Sequence, residues 1–208
     1  MKFHLVESEF PYVEDSDGRK LRIDFNSNKK DYHKKKSTLT GEPLSRALGS
    51  GKKGLRVLDL SAGLAVDAIF LVQLGYTVTA LERNPMLYFL LNKALESWQS
   101  ADKIRLKFIF TDALTYLKET KDEFDVCYFD PMFPQKNKSA LPKQEMVIFK
   151  ELVGGDNDAH EVLSCALQSK RFKRCVIKRP LRAEPLLAQG VQPSGCIEGK
   201  IIRYDIYG

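Results

Sequence analysis

The run Leu55-Arg56-Val57-Leu58-Asp59-Leu60-Ser61-Ala62-Gly63-Leu64-Ala65-Val66-Asp67 decides how the rest of the chain reads. Residues 55–59 are a short apolar run closed by an acid, the pattern of a buried strand. Small side chains at 61, 62, 63 and 65 form a turn that lets backbone approach a ligand closely. A helix over about 64–74 follows and is closed by Gly75. The turn is not GxGxxG and no Gly-Lys-Ser/Thr follows it, which sets it apart from phosphate-cradling loops.

Working outward, the unit repeats. Tyr76–Glu82 reads as a second strand, and Asn84-Pro85 as an N-cap with proline at the first helical position of a helix reaching Trp98. A strand over 105–110, a short helix capped by Asp112, and a strand from Phe124 to Asp130 come next. Helices over 141–153 and 158–169 are split by Gly154-Gly155-Asp156, and a strand from Arg174 to Lys178 is ended by Pro180. The alternating tail Ile201–Tyr207 is a final strand. Strands separated by helices are βαβ units, so the fold class is α/β: a mostly parallel sheet flanked by helices.

Before this unit, Phe3, Leu5, Leu21, Ile23 and Phe25 are spaced for strands around the acidic turn Glu14–Gly18. The basic stretch Lys29–Lys36 follows, and 41–49 suits a short helix. The expected organisation is a small β-containing extension over 1–40 and a main domain over 41–208.

Composition narrows the function. The 208 residues are 43% apolar and 29% charged, the range of globular domains. With 33 Lys+Arg against 27 Asp+Glu the net charge is +6, which favours a polyanionic partner. Cys127, Cys165, Cys175 and Cys196 show no CxxC spacing, and His4, His33 and His160 lie far apart. The expectation is reduced thiols, no metal and a cytoplasmic protein. No signal-peptide pattern opens the chain and no window approaches a membrane span, so no membrane partner is expected.

In an open α/β sheet, ligands bind outside the carboxyl ends of the strands. Four of those ends carry acids: Asp59, Glu82, Asp112 and Asp130. A carboxylate at position 82, ending the second strand, suits both hydroxyls of an adenosine ribose. Asp112 suits a helix cap or the adenine amino group. Asp130-Pro131-Met132-Phe133 suits attack by a planar exocyclic amine, whose lone pair is delocalised into the ring. Hydrogen bonds from its N–H groups to Asp130 and a neighbouring backbone carbonyl localise that pair towards a methyl electrophile. Phe133 is placed to stack on the base, a contact worth roughly 1–3 kcal/mol. Such a site accepts guanine N2, adenine N6 or a glutamine amide.

Leu58-Asp59-x-Ser61-Ala62-Gly63-Leu64-x-x-Asp67-Ala68, Leu81–Pro85 and Asp130-Pro131-Met132-Phe133-Pro134 resemble the Rossmann-like class I S-adenosylmethionine-dependent methyltransferases. More narrowly, they resemble the RsmJ (YhiQ) family of small-subunit rRNA guanine-N2 methyltransferases. Lys136, Lys138–Leu141, Glu145-Met146, Phe149, Leu152–Gly154, Lys178–Pro180 and Tyr204–Tyr207 extend the likeness from about residue 20 to the C-terminus. The resemblance implies a seven-stranded sheet, S-adenosylmethionine as cofactor, and 16S rRNA or the small ribosomal subunit as partner. It places cofactor contacts at Asp59, Gly63, Val66 and Asp67, at Glu82 and Arg83, at Asp112 and Ala113, and at Asp130. Asp130, Pro131 and Phe133 are the expected catalytic residues.

Two departures stand out: the family usually reads Gly-Leu-Gly-Arg-Asp where this chain has Gly63-Leu64-Ala65-Val66-Asp67, and its N-terminal portion is usually longer. Ala65 and Val66 also suit a reading from another class, a non-catalytic protein that keeps the cofactor pocket and binds RNA.

For the RNA, Lys136 and Lys138 stand within eight residues of Asp130, and Lys178 and Arg179 follow a strand that opens on the same edge. These four are expected at phosphates. The group at 170–174 precedes that strand and belongs at the opposite edge.

Overall fold

The computed structural model of the protein describes residues 2–27, 38, 40–49, 54–132 and 144–208. A small antiparallel sheet comes first, with β1 (Phe3–Val6) paired to β2 (Tyr12–Asp15) and β2 to β3 (Lys20–Leu21). The acidic turn at 14–18 joins β2 to β3, and Gly18 takes the positive φ (74°) the turn requires. Ile23 and Phe25 were expected in a strand but follow β3 as irregular chain. Both are buried, and Phe25 packs edge-on against Trp98 with ring centroids 5.8 Å apart. The small sheet therefore shares one core with the residues that follow.

The helix α1 (Pro43–Gly49) leads to the repeating unit: β4 (Arg56–Asp59), α2 (Val66–Gln73), β5 (Thr77–Glu82), α3 (Pro85–Ser97), β6 (Leu106–Phe110), α4 (Ala113–Glu119) and β7 (Val126–Phe129). It continues with α5 (Gln144–Val153), α6 (Ala159–Gln168), β8 (Arg174–Pro180), β9 (Gly195–Glu198) and β10 (Ile202–Tyr207). The seven strands run β6-β5-β4-β7-β8-β10-β9. The pairs from β6 across to β8 are parallel, and β10 is antiparallel to both its neighbours. This is the expected mostly parallel seven-stranded sheet. The four-residue strand β9 was not expected.

Capping residues fix the helix starts as the sequence implies. Asn84 Oδ1 accepts from the N–H groups of Met86 (3.0 Å) and Leu87 (3.1 Å), with Pro85 behind it. Asp112 Oδ1 accepts from Thr115 N–H at 2.9 Å and caps α4.

Alternation along the strands buries both faces of the sheet. Val57, Val78, Phe108 and Val176 face α1, α2, α3 and α5 in one core. Leu58, Leu81, Phe129 and Ile177 face α4 and α6 in the other. The chain runs outward from β4 to β6 and then returns to β7 on the other side of β4. The β4/β7 boundary is thus the point where strand order reverses, and a crevice opens there at the carboxyl ends. Among the described residues, no helix is long and apolar enough to cross a membrane.

Candidate active site

A cavity of about 330 Å³ lies at those carboxyl ends. Asp59, Glu82, Asp112 and Asp130, picked out as the acids ending four strands, all line it. The turn after β4 is stitched to its neighbours: Leu60 N–H donates to Tyr128 O (2.9 Å) and Ala62 N–H to Leu81 O (2.8 Å). Gly63 sits at φ 53°, and a Cβ there would come within 3.4 Å of Phe149 Cζ on α5. The small residues leave the floor of the cavity open.

Asp59 is fully buried and accepts from Ser61 N–H at 3.0 Å. Burial pushes its carboxyl up to about 8, with Asp67 and Asp130 adding like charge. Ser61 Oγ in turn accepts from Asp130 N–H at 3.0 Å, so the β4 turn fixes the backbone of Asp130. Glu82 is also buried and accepts from Asn84 N–H at 2.8 Å. Burial raises its carboxyl to about 7 against the pull of those N–H donors. A buried carboxyl that lines a cavity is able to accept from hydroxyl or N–H donors of a ligand.

On the other side of the cavity, Lys178 Nζ lies 2.7 Å from Asp67 Oδ2 and 2.9 Å from Asp130 Oδ2. Tyr128 Oη donates to the same Asp67 oxygen at 2.6 Å. Burial raises the Asp130 carboxyl while Lys178 pulls it back down. Asp130 at one strand end and Glu82 at another line the same cavity, an arrangement that suits a two-part ligand.

A family model described as "Putative SAM-dependent methyltransferase" matches residues 6–208. The Ribosomal RNA small subunit methyltransferase J of Bdellovibrio bacteriovorus is 48% identical over 208 residues, covering 99% of this chain and 81% of that protein. The chain belongs to this family of S-adenosylmethionine-dependent methyltransferases. The protein of the same name from Coxiella burnetii is 46% identical over 73% of this chain and 59% of its own length, so the chain spans less than two thirds of that relative. The crystal structure of the SAM-dependent methyltransferase NGO1261 from Neisseria gonorrhoeae superposes with a TM-score of 0.74 at 27% identity, over 99% of this chain and 82% of that one.

The methyltransferase cavity fits S-adenosylmethionine in its donor set. Glu82 is a buried carboxyl of the kind that would accept from ribose hydroxyls, and the open turn at Gly63 leaves room that a Cβ would take. Val66, 43% exposed, lines the cavity. Ala65 takes the left-handed conformation its family's glycine allows (φ 55°, ψ 24°), but its methyl is buried in the core and does not line the cavity. Ala113 and Arg83, expected at the cofactor, line the cavity, and Arg83 also pairs with Asp156 and with Asp158 at 3.0 Å. Among the described residues, no group of three or more His, Cys, Asp or Glu is arranged to hold a metal ion.

Of the other expected site residues, Pro131 is buried between Asp130 and Met132. Phe133, Lys136 and Lys138 lie outside the described residues. Lys178 and Arg179, expected at phosphates, are engaged within the fold instead. Lys178 is held by Asp67 and Asp130, while Arg179 is 8% exposed and Nη2 donates to Glu184 O at 2.5 Å. The reason is strand alternation: Lys178 shares the face of Val176, and Arg179 the buried face of Cys175 and Ile177. The 170–174 group sits at the opposite edge as expected, with Lys173 paired to Asp125 at 2.9 Å and Arg174 donating to Ala47 O.

Sequence reasoning missed Asp156, whose Oδ2 accepts from Met132 N–H at 2.6 Å. Its one signal was the Gly154-Gly155 break before it. Tyr128 was also missed, since an inward-facing tyrosine in a buried strand reads as core.

Proposed function

We propose that this chain transfers the methyl group of S-adenosylmethionine to the exocyclic N2 amine of a guanosine in small-subunit rRNA. The observation that carries this reading is Asp130, held through its backbone by Ser61 and through its carboxylate by Lys178, opening on the cavity that Glu82 also lines. The names of the relatives, and a net charge of +6 suited to a polyanion, support the rRNA substrate. An rRNA substrate makes the cytoplasm the place of action.

Glu82 and the turn at 61–66 hold the cofactor, which supplies an electrophilic methyl on its sulfonium. Asp130 accepts a hydrogen bond from the target amine and draws its lone pair out of the ring, towards the methyl. Phe133 stacks on the base, and Lys136 and Lys138 meet phosphates beside it. The chemistry is positioning and polarisation without a covalent intermediate: the N–C bond would form as the S–C bond breaks, the cofactor would leave as its neutral thioether, and the proton lost from the amine would pass to Asp130 or to water. Removing one such polar stabiliser typically costs about a hundredfold or more in turnover.

The test is transfer from labelled S-adenosylmethionine to small ribosomal subunits that lack their native methylation, followed by nucleoside analysis. The expected product is N2-methylguanosine in 16S rRNA. Label in N6-methyladenosine or in ribosomal protein, or cofactor binding without turnover, overturns the reading.

A further inference from the structure

We infer that Lys178 is a positioning residue for methyl transfer, holding the Asp130 carboxylate ionised and in place with Asp67 as its second anchor. The inference rests on the role given to Asp130 above. It removes Lys178 from the phosphate contacts.

Three observations carry it. First, β8 runs parallel to β7 with Ile177 opposite Phe129, so the next residue on each strand brings Lys178 beside Asp130. Second, the ammonium lies within 3 Å of two carboxylates from different elements, 2.7 Å from Asp67 on α2 and 2.9 Å from Asp130 after β7. Its side chain is only 21% exposed. The ammonium of this lysine is engaged by two carboxylates in the cavity wall. Third, Tyr128 Oη donates to the same Asp67 oxygen, so the far anchor is itself fixed.

The charges around Asp130 say what the lysine does there. Facing Asp130 are Asp67 of α2, Asp59 at the end of β4, and Asp156 from the loop before α6. The hydroxyls of Tyr128 on β7 and Tyr204 on β10 also face it. Lys178 of β8 is the cation in this set. The Asp67 and Asp156 carboxyls and burial favour a protonated Asp130, and an opposite charge at hydrogen-bond distance favours the ionised form. A protonated Asp130 loses acceptor strength towards the amine. Without Lys178, protonation of Asp130 begins at higher pH.

The experiment compares wild type, Lys178→Gln and Lys178→Arg in three measurements: the pH profile of kcat/KM on small subunits, the carboxyl titration of Asp130 by carbon NMR, and the salt dependence of RNA binding. In Lys178→Gln the Asp130 titration and the acid limb of activity should both move up by about one to three pH units. Its kcat should fall on the acid side of the wild-type profile and recover as pH rises, while the salt slope stays that of wild type. Lys178→Arg keeps the charge with a differently shaped head group, so its acid limb should stay in place while kcat falls. An unmoved Asp130 titration in Lys178→Gln overturns the inference. So does a salt slope reduced by about 0.7–0.9 with an unmoved acid limb, the mark of a lysine that had been neutralising a phosphate. If Lys178→Gln does not fold, wild-type kcat in Lys178→Arg overturns it. The carboxyl titration needs no RNA, so it separates failure of this inference from failure of the rRNA reading.

Discussion

Met132 and Asp156 are joined twice: Met132 N–H donates to Asp156 Oδ2 at 2.6 Å, and Asp156 N–H donates to Met132 O at 3.2 Å. The same Asp156 carboxylate pairs with Arg83, the residue after Glu82. One side chain thus ties the backbone two residues beyond Asp130 to the tip of β5. The two sides of the cavity are mechanically linked through it.

Asp156→Ala removes the acceptor for Met132 and one of the two carboxylates that pair with Arg83, leaving Asp158. A displacement of about 1 Å at a reacting group costs up to about a hundredfold in rate. We expect kcat to fall tenfold to a hundredfold, with Asp156→Asn milder because its amide oxygen still accepts from Met132. Steady-state kinetics on the three proteins decide the matter. A kcat within twofold of wild type in the alanine variant would show that Met132 needs no such tie.

Glu82 gives a stability prediction whose sign follows from its environment. Burial raises its carboxyl from the ordinary value to about 7 in the folded chain. Between the unfolded value and about 7 the folded state binds more protons than the unfolded one, so stability falls as pH rises through that window. Glu82→Gln mimics the neutral acid and removes this loss. Denaturant titrations of the free protein at pH 5 and pH 8 should show the variant gaining on wild type by on the order of 2 kcal/mol at the higher pH. Cofactor affinity should fall in the same variant, because the ribose hydroxyls lose an ionised acceptor. Equal pH dependence of stability in the two proteins would place the Glu82 titration elsewhere.

The parts of this site that could be read from sequence are those the topology alone determines. Parallel strands put their carboxyl ends on one edge, so Asp59, Glu82, Asp112 and Asp130 converge whatever the details of packing. Side-chain direction was harder. Lys178 and Arg179 were placed at the right edge, yet alternation turns one into the cavity wall and the other into the second core. Asp156 comes from a loop between two helices, and its contact with Met132 exists only once α5 and α6 have packed. Strand β9 has three exposed residues of four and takes its extended form from pairing with β10, which no local pattern announces.

Ala65 permits a test of backbone cost. A left-handed alanine costs roughly 1–2 kcal/mol relative to the ordinary helical region. Glycine would relieve that cost, but it loses a buried methyl and adds freedom to the unfolded chain, effects of about 0.8 and 0.5–1 kcal/mol. The opposing effects nearly cancel, so Ala65→Gly should change stability by less than about 1 kcal/mol. Ala65→Val adds a β-branch where φ is 55° and the space is already filled, and should lose at least about 2 kcal/mol. Urea denaturation of the two variants checks the pair. A valine variant as stable as wild type would mean that the turn relaxes to negative φ without cost.

The basic residues at 170–174 offer the sharpest test of where RNA lies. Arg171 donates to Leu117 O at 3.0 Å and also to Thr120 O, the carbonyls that close α4. Arg174 donates to Ala47 O at 2.9 Å near the end of α1. These guanidinium groups serve helix ends at the edge of the sheet away from Asp130. Arg171→Ala should therefore lower the melting temperature by about 2–4 °C and leave the salt dependence of RNA binding as it was. Lys136→Ala/Lys138→Ala should instead reduce the slope of log affinity against log salt by about 0.7–0.9 for each phosphate left without its lysine. Salt titrations of RNA binding beside thermal melts of Arg171→Ala/Arg174→Ala and the lysine pair make the comparison. A flattened slope in the arginine pair with an unchanged slope in the lysine pair would put the RNA on the opposite edge of the sheet, away from the Asp130 carboxylate that is proposed to meet its target amine.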